Sequence, residues 1–241
     1  MGHKIGFFEI QEAFAQRVAA VTGIPLEEAL LEYTTFYKRV GAKDWKFEGK
    51  NPVWKTFTDR IRDGENPATV ALAMNKQAMS RNPSDIMRFG CMGFDCRENR
   101  VIMHFSNEVP SIYGPLSQHH MLDRIYELRE MFTHIAKHHP DAELVEGFSW
   151  LYNYEAYRRL FPPEYIANME TIEEMPVRYN STWGQFIDSS GGMHSERVAT
   201  FTQKINEATS VGQLFGAFPF KVLRPKAKIQ SFYSYYSIQM T

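Results

Sequence analysis

A chain of 241 residues with 44% hydrophobic and 23% charged side chains has the composition of a globular protein, long enough for one large domain or two small ones. A formal net charge of -1 argues against a dedicated nucleic-acid binder, because neutralising phosphates needs a surplus of Lys and Arg. No apolar run has the length of a bilayer span, and the first residues carry neither a secretion signal nor a myristoylation pattern. A cytoplasmic protein with no membrane or nucleic-acid partner is expected.

The first third reads as helices. Phe7, Ile10, Phe14, Val18 and Val21 recur at helical spacing. Gly23 ends that helix, Pro25 opens the next, and Glu27 and Glu28 fall in its favourable first turn. Its pattern continues through Leu30, Leu31 and Tyr33 to about residue 39. Three pairs follow, Asn51-Pro52, Asn66-Pro67 and Asn82-Pro83. Each sets a capping side chain before a residue that suits a first helical turn. The first two precede helical patterns and the third a short connection. Residues 1–86 are expected to form an N-terminal all-helical lobe.

At Arg88 the period changes. RFGCMGFDC, a turn through Arg97-Glu98-Asn99, and RVIMHFSN read as a β-hairpin. On its first strand Phe89, Cys91, Gly93 and Asp95 share one face, and Met92 and Phe94 the other. Cys91 and Cys96 then point to opposite faces, so no disulfide is expected between them. Ser117 can cap a helix whose buried stripe is Met121, Ile125, Leu128, Phe132 and Ile135, and Pro140 stops it. Residues 143–148 read as a strand, 154–161 as a short helix, 177–187 as a strand pair around Trp183, and 195–208 as a helix. FPFKV and KIQSFYSYYSI alternate like one or two closing strands. Residues 87–241 are thus expected to form an α+β domain, a mixed β-sheet flanked by helices.

Several residues are placed for chemistry. His104 lies late in a strand, just before Asn107 and an irregular loop, and a histidine there suits proton removal near neutrality. The stretch SWLYNYEAYRRL offers Ser149, Trp150, Asn153, Tyr154, Tyr157 and Arg158. A tyrosine at a helix start can protonate a leaving group, and an arginine can meet phosphate or carboxylate. The same aromatic residues also suit packing between sheet and helices. His134 and His138 are four apart with Glu130 on their side, but no HExxH accompanies them, and positive charge suits a helix C-terminus. No metal is expected. GxSxG, Walker and GxGxxG signatures do not occur.

HFSN, GPLS, DRIYELREMFTHIAKHHPDA, ELVEGFSWLYN and EAYRRLFPP together resemble the central half of a GNAT-type acyltransferase. They are similar in particular to divergent bacterial domains with an SWLL-type motif, here Ser149-Trp150-Leu151-Tyr152. The resemblance spans residues 88–220. It implies fourth and fifth strands that splay around the pantetheine of acyl-CoA, and a loop before the third helix that wraps the pyrophosphate with backbone amides. The matching loop, Tyr113-Gly114-Pro115-Leu116-Ser117, departs from the family pattern in having one glycine and a proline that lacks an amide donor.

The activity implied is transfer of an acyl group from CoA or a carrier thioester to a small amine or hydroxyl acceptor. His104 would be the base and Tyr157 or Tyr154 the acid, with Gly114, Ser117, Asn107, Ser149, Trp150, Asn153 and Arg158 around the donor. An acyl carrier protein is a further implied partner beside the small-molecule substrate. The departure in the loop implies the alternative, a catalytically inactive module of the same fold that binds a small ligand or a partner protein.

Overall fold

The computed structural model describes residues 4–42, 44, 46–81, 86–107, 112–174 and 176–239. The chain divides into two compact units, Met1–Pro83 with Glu174–Pro219, and Ser84–Glu173 with Phe220–Thr241. No helix among the described residues is long and apolar enough to cross a membrane.

The first unit is helical: α1 (Ile5–Thr22), α2 (Leu26–Tyr33), α3 (Phe36–Arg39), α4 (Pro52–Arg62) and α5 (Pro67–Arg81). α1 stops at Gly23, whose φ of 78° is left-handed and whose N–H reaches the Ala19 carbonyl at 2.8 Å. Asn51 accepts from the amides of Val53 and Trp54, and Asn66 from that of Thr69, so two of the Asn-Pro pairs start helices as expected. Asn82-Pro83 lies outside the described residues. The buried Glu12 accepts from the Ala68 amide at 3.1 Å, which puts a carboxylate at the positive end of α5.

The helix expected to continue to residue 39 breaks at Thr34-Thr35. Thr34 Oγ1 donates to the Leu30 carbonyl and accepts from the Phe36 amide, while Thr35 gives its N–H and hydroxyl to Gln11. Hydroxyls here take over the partners that a continuous helix would need.

The second unit is α+β. β1 (Met87–Phe89), β2 (Met92–Arg97) and β3 (Arg100–Phe105) form an antiparallel meander; α6 (Met121–His138) then leads to β4 (Leu144–Gly147), parallel to β3. Next come α7 (Glu155–Arg158), α8 (Pro163–Ala167) and β5 (Glu170–Thr171). α9 (Asn180–Trp183), α10 (Ser195–Glu207) and α11 (Val211–Gly216) belong to the first unit. The chain closes the second with β6 (Leu223–Arg224), β7 (Lys226–Lys228) and α12 (Ile229–Tyr235). The mixed five-stranded sheet has the order β1-β2-β3-β4-β7, and β5 pairs with β6. One face of the sheet, with Met92, Phe94, Val101, Met103, Val145 and Ala227, is buried with Leu128 and Phe132 of α6, Tyr165 of α8 and Phe232 of α12.

Four further sequence expectations change. Gly90 and Cys91 form a two-residue turn between β1 and β2, with Gly90 at φ 62°, so the run read as one strand is a hairpin and Cys91 is not on a strand. Residues 177–187 form α9 and a 3₁₀ turn instead of a strand pair; Trp183 Nε1 donates to the Val177 carbonyl and Gln185 to that of Thr182, closing a local coil. The tail becomes β7 and then a helix, because Ile229, Phe232, Tyr233 and Tyr236 also fit a helical stripe, and it is that stripe which is buried. Finally, the cut expected at 86/87 leaves out a return of the chain. Residues 174–219 join the first unit, where Trp183, Phe201 and Phe218 surround Phe14 at centroid distances of 5.5, 5.9 and 5.4 Å.

Candidate functional site

The residues singled out in the sequence lie on the end of β3, in the loop before α6 and in the segment that follows β4. The parallel ladder runs from the pair Arg100–Leu144 to Met103–Gly147 and stops there. β3 continues for His104 and Phe105 without β4 partners, while the chain after β4 turns through Ser149 into a 3₁₀ turn over Trp150–Asn153. The strands therefore part immediately beyond Met103. Alternation along β3 sends its last two side chains to opposite faces.

His104 takes the face away from the hydrophobic core. Its Nε2 lies 3.1 Å from Asp95 Oδ2 on β2, and both side chains are partly buried. Asp95 also accepts from Arg97 at 3.1 Å. Burial alone would raise the Asp95 carboxyl, but the bonds from His104 and Arg97 hold it below the usual carboxylate range. An ionised aspartate thus orients the imidazole, the arrangement that suits a histidine base. Asn107, two residues past β3, is partly buried. The segment 108–111 that follows lies outside the described residues.

Phe105 takes the core face, where its ring meets that of Tyr157 edge-on at 5.6 Å. Tyr157 is 2% exposed. Burial, followed by its contact with Tyr152, pushes its phenol well above the ordinary value. The Tyr152 hydroxyl lies 2.8 Å from that of Tyr165, so three buried phenols cluster over the end of β4. Room for them comes from Gly147, since a β-carbon there would land on the hydroxyls of Tyr152 and Tyr165. His104 and Tyr157 are therefore not brought to one side of β3. As placed, Tyr157 is a packing residue, while Tyr154, partly exposed, has its ring against Trp150 and Phe220.

The loop before α6 is built by arginines. The Ser117 amide donates to the Gly114 carbonyl at 2.9 Å, forming a turn. Arg124 of α6, buried, donates to the Pro115 carbonyl at 3.2 Å, and Arg159 after α7 donates to the Leu116 carbonyl at 3.0 Å. Ser117 does not cap the helix with its side chain; its Oγ is buried without a hydrogen-bond partner, as are the Nε atoms of Arg124, Arg158 and Arg159. Arg158 is paired through Nη2 with Glu155 at 3.1 Å. Arg124 also pairs with Glu127, whose other oxygen takes the Cys91 amide at 3.1 Å. Burial raises the Glu127 carboxyl despite these partners. The loop thus combines one buried and two partly buried arginines, orphaned donors and the start of a long helix, all features that favour an anion.

The SWLYN cluster does structural work. Ser149 accepts from the Leu151 amide at 3.1 Å, and Asn153 donates to the carbonyls of Trp150 and Lys221 at 2.7 and 2.9 Å. Trp150 stacks on Phe220 at 5.7 Å. These contacts fasten residues 220–224 to the end of β4. His134, His138 and His139 form a ring cluster with Phe89 and Phe94, His134 and His138 being 4.3 Å apart. Among the described residues no three His, Cys, Asp or Glu side chains converge as a ligand set.

No family model, curated protein or solved structure matches this chain.

Proposed function

We propose that the second unit is a GNAT-like acyl-transfer domain that moves an acyl group from CoA or a carrier thioester to a small amine or hydroxyl acceptor. The observation that carries the reading is the parting of β3 and β4 beyond the Met103–Gly147 pair, with His104 as the first residue past the ladder. In such a fold the donor thioester lies between those strands. The Gly114–Ser117 loop suits the donor's phosphates: Pro115 removes one amide, and the partly buried Arg159, with the buried Arg124 that is paired to Glu127, supplies positive charge beside it. His104, oriented by Asp95, takes a proton from the acceptor. With Tyr157 buried, the leaving thiolate takes its proton from solvent or from the partly exposed Tyr154.

A second reading has its own support. Phe105, Tyr152 and Tyr157 occupy the core side of the parting, as expected for a module that keeps the fold and has lost the donor. Thermal unfolding with acetyl-CoA, longer acyl-CoAs and free CoA separates the two. A ligand held only by the folded state adds about 2.7 kcal/mol at one hundred times its Kd. A rise in midpoint with the CoA species is the expected result, and an unchanged midpoint with every thioester favours the non-catalytic module.

A further inference from the structure

All the helices that contribute to this sheet's hydrophobic core pack on one of its faces. The residues of the other face follow from the register. Arg88, Gly93 and His104 form one cross-strand row; Asp95, Ile102, Glu146 and Lys226 the next; Arg97, Arg100, Leu144 and Lys228 the third. Arg224, beside the second row, bonds Glu146 at 3.1 Å. Six Arg and Lys side chains therefore stand against Asp95, Glu146 and Glu170, the last paired with Lys226 at 2.6 Å. Glu98 and Glu143 sit at the β2–β3 turn end, where Glu143 bonds Asn99.

Depth sorts the two signs. The Glu146 and Asp95 side chains are 5% and 20% exposed, whereas Arg97, Arg100 and Lys226 are 56%, 40% and 43% exposed. Carboxylates lie underneath and cations lie above them. Arg88 and Lys228, both exposed, extend the array to the two edge strands. Six of the chain's 27 Lys and Arg thus stand on this face against three carboxylates, an excess of positive charge in a chain whose net charge is -1. Such a field attracts and orients an acidic partner.

We propose that this open face is a docking surface for an acidic helix of a partner protein. The face is about 19 Å across its five strands, taking about 4.8 Å per spacing; at its β1 end Gly93 is buried beside Ile86. That width suits a side-on helix better than a small molecule. Ile102 and Leu144, partly exposed between the cations, offer apolar contact to such a helix. Single-stranded nucleic acid fits less well. It binds by stacking bases on aromatic rings, and the three rows hold no aromatic other than His104. Phe148 lies beyond them, beneath the Arg224 guanidinium at 5.1 Å.

The test is fluorescence anisotropy of the full chain with a labelled helical peptide of about twenty residues bearing Glu on one face and Leu between, alongside its Lys-for-Glu counterpart and a single-stranded oligonucleotide. Arg88→Glu combined with Lys228→Glu changes two exposed side chains that have no ion pair among the described residues, so folding is retained and is checked by circular dichroism. The proposal expects binding of the Glu peptide alone, weakened about tenfold or more by the double variant and by raised salt. Arg129→Glu, exposed on α6, is expected to leave it unchanged. Absence of Glu-peptide binding, equal loss with Arg129→Glu, or tighter binding of the oligonucleotide would overturn it. This readout does not depend on CoA binding.

Discussion

The two faces of the five-stranded sheet are made from alternating residues of the same strands, yet they follow different physics. On one face Phe94, Met103 and Val145 are buried against helices and three packed tyrosines. Their stabilisation is non-directional and grows with the apolar area removed from water. On the other face Asp95, His104, Glu146 and Arg100 form a polar layer, in which a half-exposed pair such as Arg97–Asp95 contributes little to stability. Apolar burial is thus concentrated on one face, and the proposed recognition and proton transfer are placed on the other.

Gly147→Ala strikes the covered face hardest. The added methyl group meets the Tyr152 and Tyr165 hydroxyls in a packed core, and overpacking of this kind costs about 3 kcal/mol. Urea unfolding should show that loss with an unchanged slope, and a loss below about 1 kcal/mol would mean that the tyrosine cluster is loosely packed.

A smaller effect belongs to His134, at the edge of the same core. Burial, then the charges of His138, His139 and Lys137, lowers its pKa from the ordinary value. The folded state therefore binds the proton less readily than the unfolded chain. Its contribution to stability is fully present above the unfolded pKa of about 6.5 and is lost as pH falls through the folded value. His134→Gln should flatten the fall in unfolding midpoint between about pH 7.5 and pH 5.5. An unchanged slope would assign the effect to other groups.

Strand alternation made much of this contrast legible in the sequence. The placing of His104 and Asp95 against Phe94 and Met103 follows from a period of two, and α6 follows from its apolar stripe. The anchors of the donor loop were less visible. Arg124, buried, and Arg159, partly buried, are received by the loop carbonyls of Pro115 and Leu116, a long-range pairing that local pattern does not carry. Asp95 could have been paired with His104 from the hairpin register alone. Tyr157 looked like an acid at a helix start, but its depth was set by Gly147 on another element. The return of residues 174–219 to the first unit also depended on distant aromatic contacts.

We propose that a thioester donor is held where β3 and β4 part, with its phosphates at the loop fastened by Arg159. Calorimetric titration of acetyl-CoA into the wild-type chain and into Arg159→Ala tests this directly. Saturable binding to the wild type and about tenfold weaker binding to the variant are expected, since the variant loses a charged donor. No binding to the wild type, or equal binding to both, would contradict it.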